Sequence, residues 1–377
     1  MDTMMSEVDS WRRDPEAFLR RRGLNPERTT PPEDEEVYVL IVEGFLIFNH
    51  RCSTRLLVFM SNVGSSACLL LACCLCCNAL PTALHQEVVN DRPVIGILTQ
   101  IVSDEVMKPF GRTFIPSSYV KFIESGGSRV MPIRLTLNTT EYETIFRSIN
   151  GLLLIGGSVD LETSDFARVA KIFYRLALTA NDEGDVFPIW GTCLGMQLLT
   201  VLVAGENLLE KTPAENVALP LDLTSEVGSS RIFEGFPINL MKALTREPLT
   251  GNFHHYGVSV QTFGDNERLR SFFSLLSTNV AENGVHFVST IEGKTYPFYG
   301  VQWHPEVNRF QWQEKHNYPH SAHAVQLSSL LAEFFVNEGR RSLHRFDNPE
   351  EEASSLIYND TPVFAGNISG YEQLYFF

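Results

Sequence analysis

Cysteine is nearly missing from most of this chain. Cys52, Cys68, Cys73, Cys74, Cys76 and Cys77 all lie before residue 80, and Cys193 alone follows them. A chain left with Cys193 cannot close an internal disulfide, which excludes a disulfide-stapled scaffold and leaves a lone thiol to explain. Positive charge is also scarce: 30 Lys and Arg against 45 Asp and Glu give a net charge of −15. Without a basic surplus to neutralise phosphates, nucleic acid is not an expected partner. Long apolar runs are lacking as well. The most apolar stretch, "ACLLLACCLCCNAL" at 67–80, is too short to span a bilayer, so no stable membrane insertion is expected.

That stretch fits the hydrophobic region of a secretory signal beginning at Met60, with the small residues of "NALPTA" supplying a cleavage region. Residues 60–83 are read as a signal peptide. Residues 1–59, charged and proline-containing at their start, are read as an N-terminal extension that is disordered or absent from the mature protein. Residues 84–377 then form one domain with ample apolar content for a core.

Within that domain strand-like and helix-like segments alternate. "PVIGILT" (93–99), "RVMPI" (129–133), "GLLLIGG" (151–157) and "VFPIW" (186–190) read as buried strands. Between them, helices are expected over 117–127, 139–149, 164–182 and 194–205, the second with a Thr140–Glu143 capping box. Continuous apolar strands separated by amphipathic helices predict an α/β fold with a central, mostly parallel sheet covered on both faces. The later part is richer in strands and ends in a helix over roughly 321–341. Of the N-x-S/T triplets, Asn138 and Asn367 are the expected glycosylation sites. Asn359, with Asp in the middle and Pro362 after the Thr, is a poorer acceptor.

The chemistry is expected at the carboxyl ends of the parallel strands. Gly191-Thr192-Cys193-Leu194-Gly195 sits between a strand and a helix, the context of a nucleophile elbow with Cys in place of Ser. The corner puts the thiol at a helix N-terminus, where the dipole favours an anion. The second place is "YGVQWHPE" (299–306), where Pro305 turns the chain so that His304 and Glu306 project from one rim. A Cys–His pair needs a third group to orient the imidazole, and a carboxylate two residues away can supply it. His320 and His323 are spaced i, i+3 with no acidic partner evident, so no metal site and no cofactor are expected.

"GTCLG" followed by "HPE" resembles the signature of class I glutamine amidotransferase-like enzymes. Longer segments, including "SYVKFIESGG", "INGLLLIGGSVDL", "NFHHYGVSV", "YPFYGVQWHPE" and "NISGYEQLYFF", are similar to the gamma-glutamyl hydrolase family from about residue 92 to the C-terminus. The resemblance implies a flavodoxin-like α/β domain and a cysteine peptidase that trims poly-γ-glutamate from folates in lysosomes or secretions. By it, Cys193 is the nucleophile, His304 the general base and Glu306 the orienting carboxylate. Gly157 and Leu194 match the oxyanion-hole positions, and Tyr119, Gly156 and His254 match positions at the substrate cleft. His255 is not expected to be required, and Ile155 stands where the family usually has Pro. The implied partner is a small-molecule substrate, a folylpoly-γ-glutamate, and a homodimer is an assembly the resemblance allows. Two other functions suit the same residues: a glutaminase subunit passing ammonia to a synthetase, and a non-catalytic binding protein. A secretory signal argues against the first, and intact Cys193, His304 and Glu306 argue against the second.

Overall fold

The computed structural model describes residues 89–377 and, ahead of them, only the backbone of three short strands. These are β1 (Val37–Val42), β2 (Phe45–His50) and β3 (Leu57–Phe59), an antiparallel sheet in that order. The rest of the 1–59 segment and the 60–83 signal segment lie outside the described residues.

The following unit begins with β4 (Val94–Leu98), β5 (Gln100–Ile101), β6 (Thr113–Pro116), α1 (Ser117–Ser125) and β7 (Arg129–Ile133). Next come α2 (Thr139–Ser148), β8 (Leu152–Leu154), α3 (Asp165–Asp182), β9 (Ile189–Thr192) and α4 (Leu194–Ala204). The strand-rich part holds β10 (Glu210–Leu219), β11 (Asp222–Leu223), α5 (Ile238–Leu244), β12 (Thr250–Gly257), α6 (Val260–Asp265) and α7 (Glu267–Phe272). After β13 (Phe273–Val280), β14 (His286–Gly293) and β15 (Phe298–Val301) follow α8 (Val307–Phe310), α9 (Ala322–Arg340) and α10 (Pro349–Ser355). The chain closes with β16 (Val363–Phe364) and β17 (Gln373–Phe376).

Eight strands form the central sheet in the order β11-β13-β14-β15-β9-β8-β4-β7. The five from β15 to β7 are parallel, and β11, β13 and β14 extend them in antiparallel fashion. Every residue of β4, β8, β9 and β15 is buried, as strands covered on both faces require. The expected α/β class therefore holds, with a larger antiparallel wing than the sequence pattern indicated. A separate sheet, β16-β17-β6-β5, pairs the last residues with the strand entering α1, in register Leu374↔Pro116 and Phe376↔Phe114.

Two local expectations are corrected. The fourth strand begins at Ile189, not Val186, because Pro188 has no N–H to give the ladder; the strand then runs on to Thr192, directly into Cys193. The capping box of α2 lies two residues earlier than expected, at Asn138–Glu141 instead of Thr140–Glu143. Asn138 Oδ1 accepts from Glu141 N at 3.0 Å while the Glu141 carboxylate accepts from Asn138 N at 2.8 Å. Asn138 has the extended backbone of an N-cap, a position that Asn fills better than Thr.

The corner between β9 and α4 is built by close approach. A Cβ on Gly195 would lie 2.0 Å from Leu154 O, and one on Gly191 would lie 2.5 Å from the carbonyl carbon of Gly195. Neither glycine has a positive φ; the unusual backbone belongs to Cys193 itself, at φ 51° and ψ −109°. Gly195→Ala is therefore expected to lower stability by about 2 kcal/mol or more, through overpacking against β8. Gly264→Ala in α6, where a Cβ meets nothing within 4 Å, should be neutral or stabilising by up to about 1 kcal/mol. Urea midpoints of the two variants check both signs.

Candidate active site

Cys193 caps the N-terminus of α4 with a backbone that non-glycine residues rarely adopt, the signature of strain held at a reactive corner. Its N–H donates to Val301 O at 2.7 Å, locking the elbow to the end of the neighbouring strand β15. The chain leaving β15 carries His304, whose N–H donates to Gly251 O at 2.9 Å and so anchors the turn on β12. Asn308 Nδ2 holds Leu249 O and Ala324 O, each at 3.0 Å, fixing α8 behind the turn. Cys193 and His304 thus arrive from adjacent, in-register strands.

His304 Nδ1 lies 2.7 Å from Glu306 Oε1 and 3.3 Å from the Tyr119 hydroxyl. With Nδ1 engaged by the carboxylate, Nε2 remains to serve the thiol. Burial alone would depress the imidazole, but the charges of Glu306 and Cys193 outweigh it and raise its pKa to about 10. Tyr119 Oη accepts the Gly156 N–H at 2.9 Å. Its own pKa is driven well up by burial, then by Glu306 and Cys193, so it stays a neutral phenol. A Cβ on Gly156 would lie 2.8 Å from Tyr119 Oη, 2.9 Å from His304 Cε1 and 3.5 Å from Cys193 Cβ, which marks where the three side chains meet.

With Gly156 N–H committed to Tyr119, the N–H groups of Gly157 and Leu194 have no acceptor among the described residues. Leu194 opens α4, so its amide is one of the free donors of a helix N-terminus. Gly157 packs on Gln100, whose Nε2 would lie 2.6 Å from a Cβ there. His254 is buried on β12, its ring edge-on to Phe287 at 4.9 Å, with no partner for either nitrogen among the described residues. Burial, reinforced by the positive charge on His304 and only partly opposed by the nearby Tyr256 backbone, lowers its pKa to about 4 and keeps it neutral. His255 points the other way, exposed and 3.7 Å from Glu215, as strand alternation dictates.

Other expected features fall elsewhere. His323 pairs with Glu247 at 2.9 Å, whereas His320 stacks on Trp312 and bonds Asn308 O, so the two do not share a ligand. Asn138 and Asn367 are exposed, and Asn359 Nδ2 is tied to Ala353 O and Leu356 O, each at 2.8 Å. Sequence reasoning missed Tyr371, brought to the site by the β17–β6 pairing; burial, then Glu306 and Cys193, push its pKa up. It also missed Gln302, whose Nε2 donates to Cys193 Sγ at 3.6 Å, and Phe253, edge-on to His304 at 5.7 Å. Gln302 lies inside "YGVQWHPE" and Tyr371 inside "NISGYEQLYFF", but nothing in either segment marked them as site residues.

A parallel sheet bearing a cysteine on a strained strand–helix elbow, with an imidazole–carboxylate pair on the next strand, defines an α/β cysteine hydrolase. Residues 93–306 match the family model Peptidase C26. Gamma-glutamyl hydrolase of Homo sapiens is 49% identical over 286 residues, covering 76% of this chain and 90% of that protein. Gamma-glutamyl hydrolase B of Dictyostelium discoideum is 39% identical over 291 residues, 77% and 84% of the two chains. Gamma-glutamyl hydrolase 1 of Arabidopsis thaliana is 37% identical over 297 residues, 76% and 83%. The chain belongs to the Peptidase C26 family, that of the gamma-glutamyl hydrolases.

The two histidines pull the pH dependence of stability in opposite directions. His254 takes its proton near 6.5 when unfolded but only near 4 when folded, so its contribution is lost as pH falls from 6.5 to 4. The loss amounts to about 3 kcal/mol. The contribution of His304 is complete below 6.5 and lost as pH rises toward 10. His254→Gln should therefore flatten the acid side of the stability curve by roughly that amount and leave the alkaline side unchanged. Urea denaturation of both proteins from pH 4 to 10 measures it.

Proposed function

We propose that this chain hydrolyses γ-glutamyl amide bonds of folylpoly-γ-glutamates. The observation that carries the reading is Cys193 in its strained elbow beside a His304 held by Glu306, in a chain 49% identical over 286 residues to a gamma-glutamyl hydrolase.

In this mechanism the Cys193 thiolate attacks the γ-carbonyl, and the Gly157 and Leu194 amides take the developing oxyanion. Protonated His304 gives its proton to the leaving amine as the C–N bond breaks, leaving a γ-glutamyl thioester. His304 then accepts a proton from water, which attacks the thioester and releases the thiolate and the γ-carboxylic acid, and the acid loses its remaining proton to solvent. Glu306 keeps Nδ1 occupied and stabilises the imidazolium throughout. Tyr119 holds the Gly156 amide and so shapes the loop against which the γ-carbonyl rests, with His254 a neutral wall of the same cleft.

A path of rings supports an aromatic substituent on the substrate. Phe253 touches His304 and Tyr318, Tyr318 faces His320 at 6.5 Å, and His320 stacks at 4.2 Å on Trp312, which is 61% exposed. Such faces suit the pteridine or aminobenzoyl ring of a folate. A secretory route to the lysosome or the exterior is supported by the exposed Asn138 and Asn367, whose Nδ2 atoms have no acceptor among the described residues.

With a defined pteroylpoly-γ-glutamate, Cys193→Ala should retain the fold and lose all turnover, and a turning-over variant would overturn the mechanism. Glu306→Gln should lower kcat by roughly two to four orders of magnitude, read by product chromatography. Glycosidase treatment of protein secreted from a eukaryotic host should increase its mobility. Asn138→Asp, which keeps the α2 cap, and Asn367→Gln should each remove one step of that shift, whereas Asn359→Gln should remove none.

A further inference from the structure

The polarity of one buried carboxamide is set by the backbone, and it points a donor at the reacting sulfur. Gln197 lies one turn into α4, and its Nε2 donates both to Tyr256 O at 2.7 Å and to Gln302 Oε1 at 3.2 Å. A carboxamide can ordinarily be turned over without changing its shape. Here it cannot, because Tyr256 offers a backbone carbonyl, which only accepts. Turning Gln197 over would set oxygen against oxygen. Gln197 must therefore present its NH2 group, Gln302 must answer with its oxygen, and the Gln302 NH2 is left facing Cys193 Sγ, at 3.6 Å. Gln302 is fully buried and its backbone N–H is anchored on Ser289 O at 2.8 Å, so this orientation is held from both ends.

The relay is closely packed on the side of β12. A Cβ on Gly257 would lie 2.8 Å from Thr212 Oγ1 and 3.4 Å from Gln302 Oε1. No water-sized alternative partner is needed, since both ends of the Gln302 carboxamide are engaged. His304 and Gln302 thus meet the sulfur as two independent donors. The first gives up its proton during the reaction, and the second, an amide N–H, keeps its own.

We propose that Gln302 is a catalytic residue that holds the Cys193 sulfur as an anion through its Nε2–H, and that Gln197 is the positioning residue that fixes the polarity of that bond. In each turnover the thiolate forms twice, before attack and when the thioester breaks. A donor that cannot be transferred stabilises it both times without competing for the leaving amine. The inference rests on Cys193 being the nucleophile but not on which amide is cleaved.

The test is the rate at which iodoacetamide alkylates Cys193, which needs no substrate, alongside kcat and KM on a pteroylpoly-γ-glutamate. Gln302→Met keeps the shape and removes the donor; alkylation and kcat should both fall about tenfold, the contribution of one hydrogen bond to a charged group, with KM unchanged. Gln302→Glu sets an acceptor against the sulfur, so alkylation should fall further, and the deficit relative to Gln302→Met should close as acid protonates the new carboxyl. Gln197→Met, which frees Gln302 to turn, should give a smaller loss of the same sign and serves if the buried glutamate prevents folding. Folded Gln302→Met with alkylation and kcat within twofold of the parent overturns the proposal. So does an equal loss in the Met and Glu variants at every pH, which would mark a packing role. Normal alkylation in a parent that hydrolyses no γ-glutamyl bond would instead overturn the proposed substrate and leave this inference standing.

Discussion

The parallel pairing of β9 with β15 is the constraint on which the site depends. It runs in register from Ile189↔Phe298 to Thr192↔Val301 and is continued by the bond from Cys193 N to Val301 O. Parallel strands bring their carboxyl ends to the same edge of the sheet, so Cys193 and His304 emerge side by side although far apart in the chain. The elbow can turn that tightly only because Gly195 lets α4 touch β8 and Gly191 lets β9 touch α4. The glycines accommodate contact, and the strain they make possible is stored at Cys193.

That arrangement collects charge where solvation is poor, and the surroundings answer it with groups that stay neutral. Glu306 is almost fully buried, and one of its oxygens is spent on His304. Tyr119, Tyr318 and Tyr371 all feel its field, and each is pushed away from ionisation, by burial first and by neighbouring charges after it. Phenols that cannot ionise add no second negative charge beside the carboxylate. His254 plays the matching part for the cation, since burial and the charge on His304 keep it uncharged. The only cation among these groups is then His304, placed between the carboxylate and the sulfur.

Much of this was legible in the sequence, for reasons that differ by residue. Cys193 was readable because a glycine-framed turn between a strand and a helix has few structural uses for a thiol. His304 and Glu306 share one short turn, so their partnership follows from local geometry. Strand limits were readable only to within a few residues, and Pro188 decided the case that mattered. The α2 cap was misplaced because Thr140 and Asn138 both satisfy the spacing rule, and backbone conformation chose between them. Tyr371 was out of reach because only the pairing of β17 with β6 brings it in. Gln302 stood inside a recognised motif, yet its meaning lies in an orientation imposed by Tyr256 O, which no residue pattern encodes.

The non-local contributions share a logic that the triad alone does not reveal. β6 leads straight into α1, which carries Tyr119 to the Gly156 amide, and β17 pairs with β6. The last residues of the chain therefore brace the element that sets the glycine loop, while also delivering Tyr371 beside Glu306. On the opposite side, β12 supplies Phe253, His254 and the Tyr256 carbonyl within four residues, touching His304 directly and the sulfur through Gln197 and Gln302. The central sheet thus positions Cys193 and His304, and two smaller sheets hold the groups that surround them. A buried corner that gathers a thiol, an imidazole and a carboxyl group is stable here because each is met by a donor, an opposite charge or a neutral ring held in place from a different part of the fold.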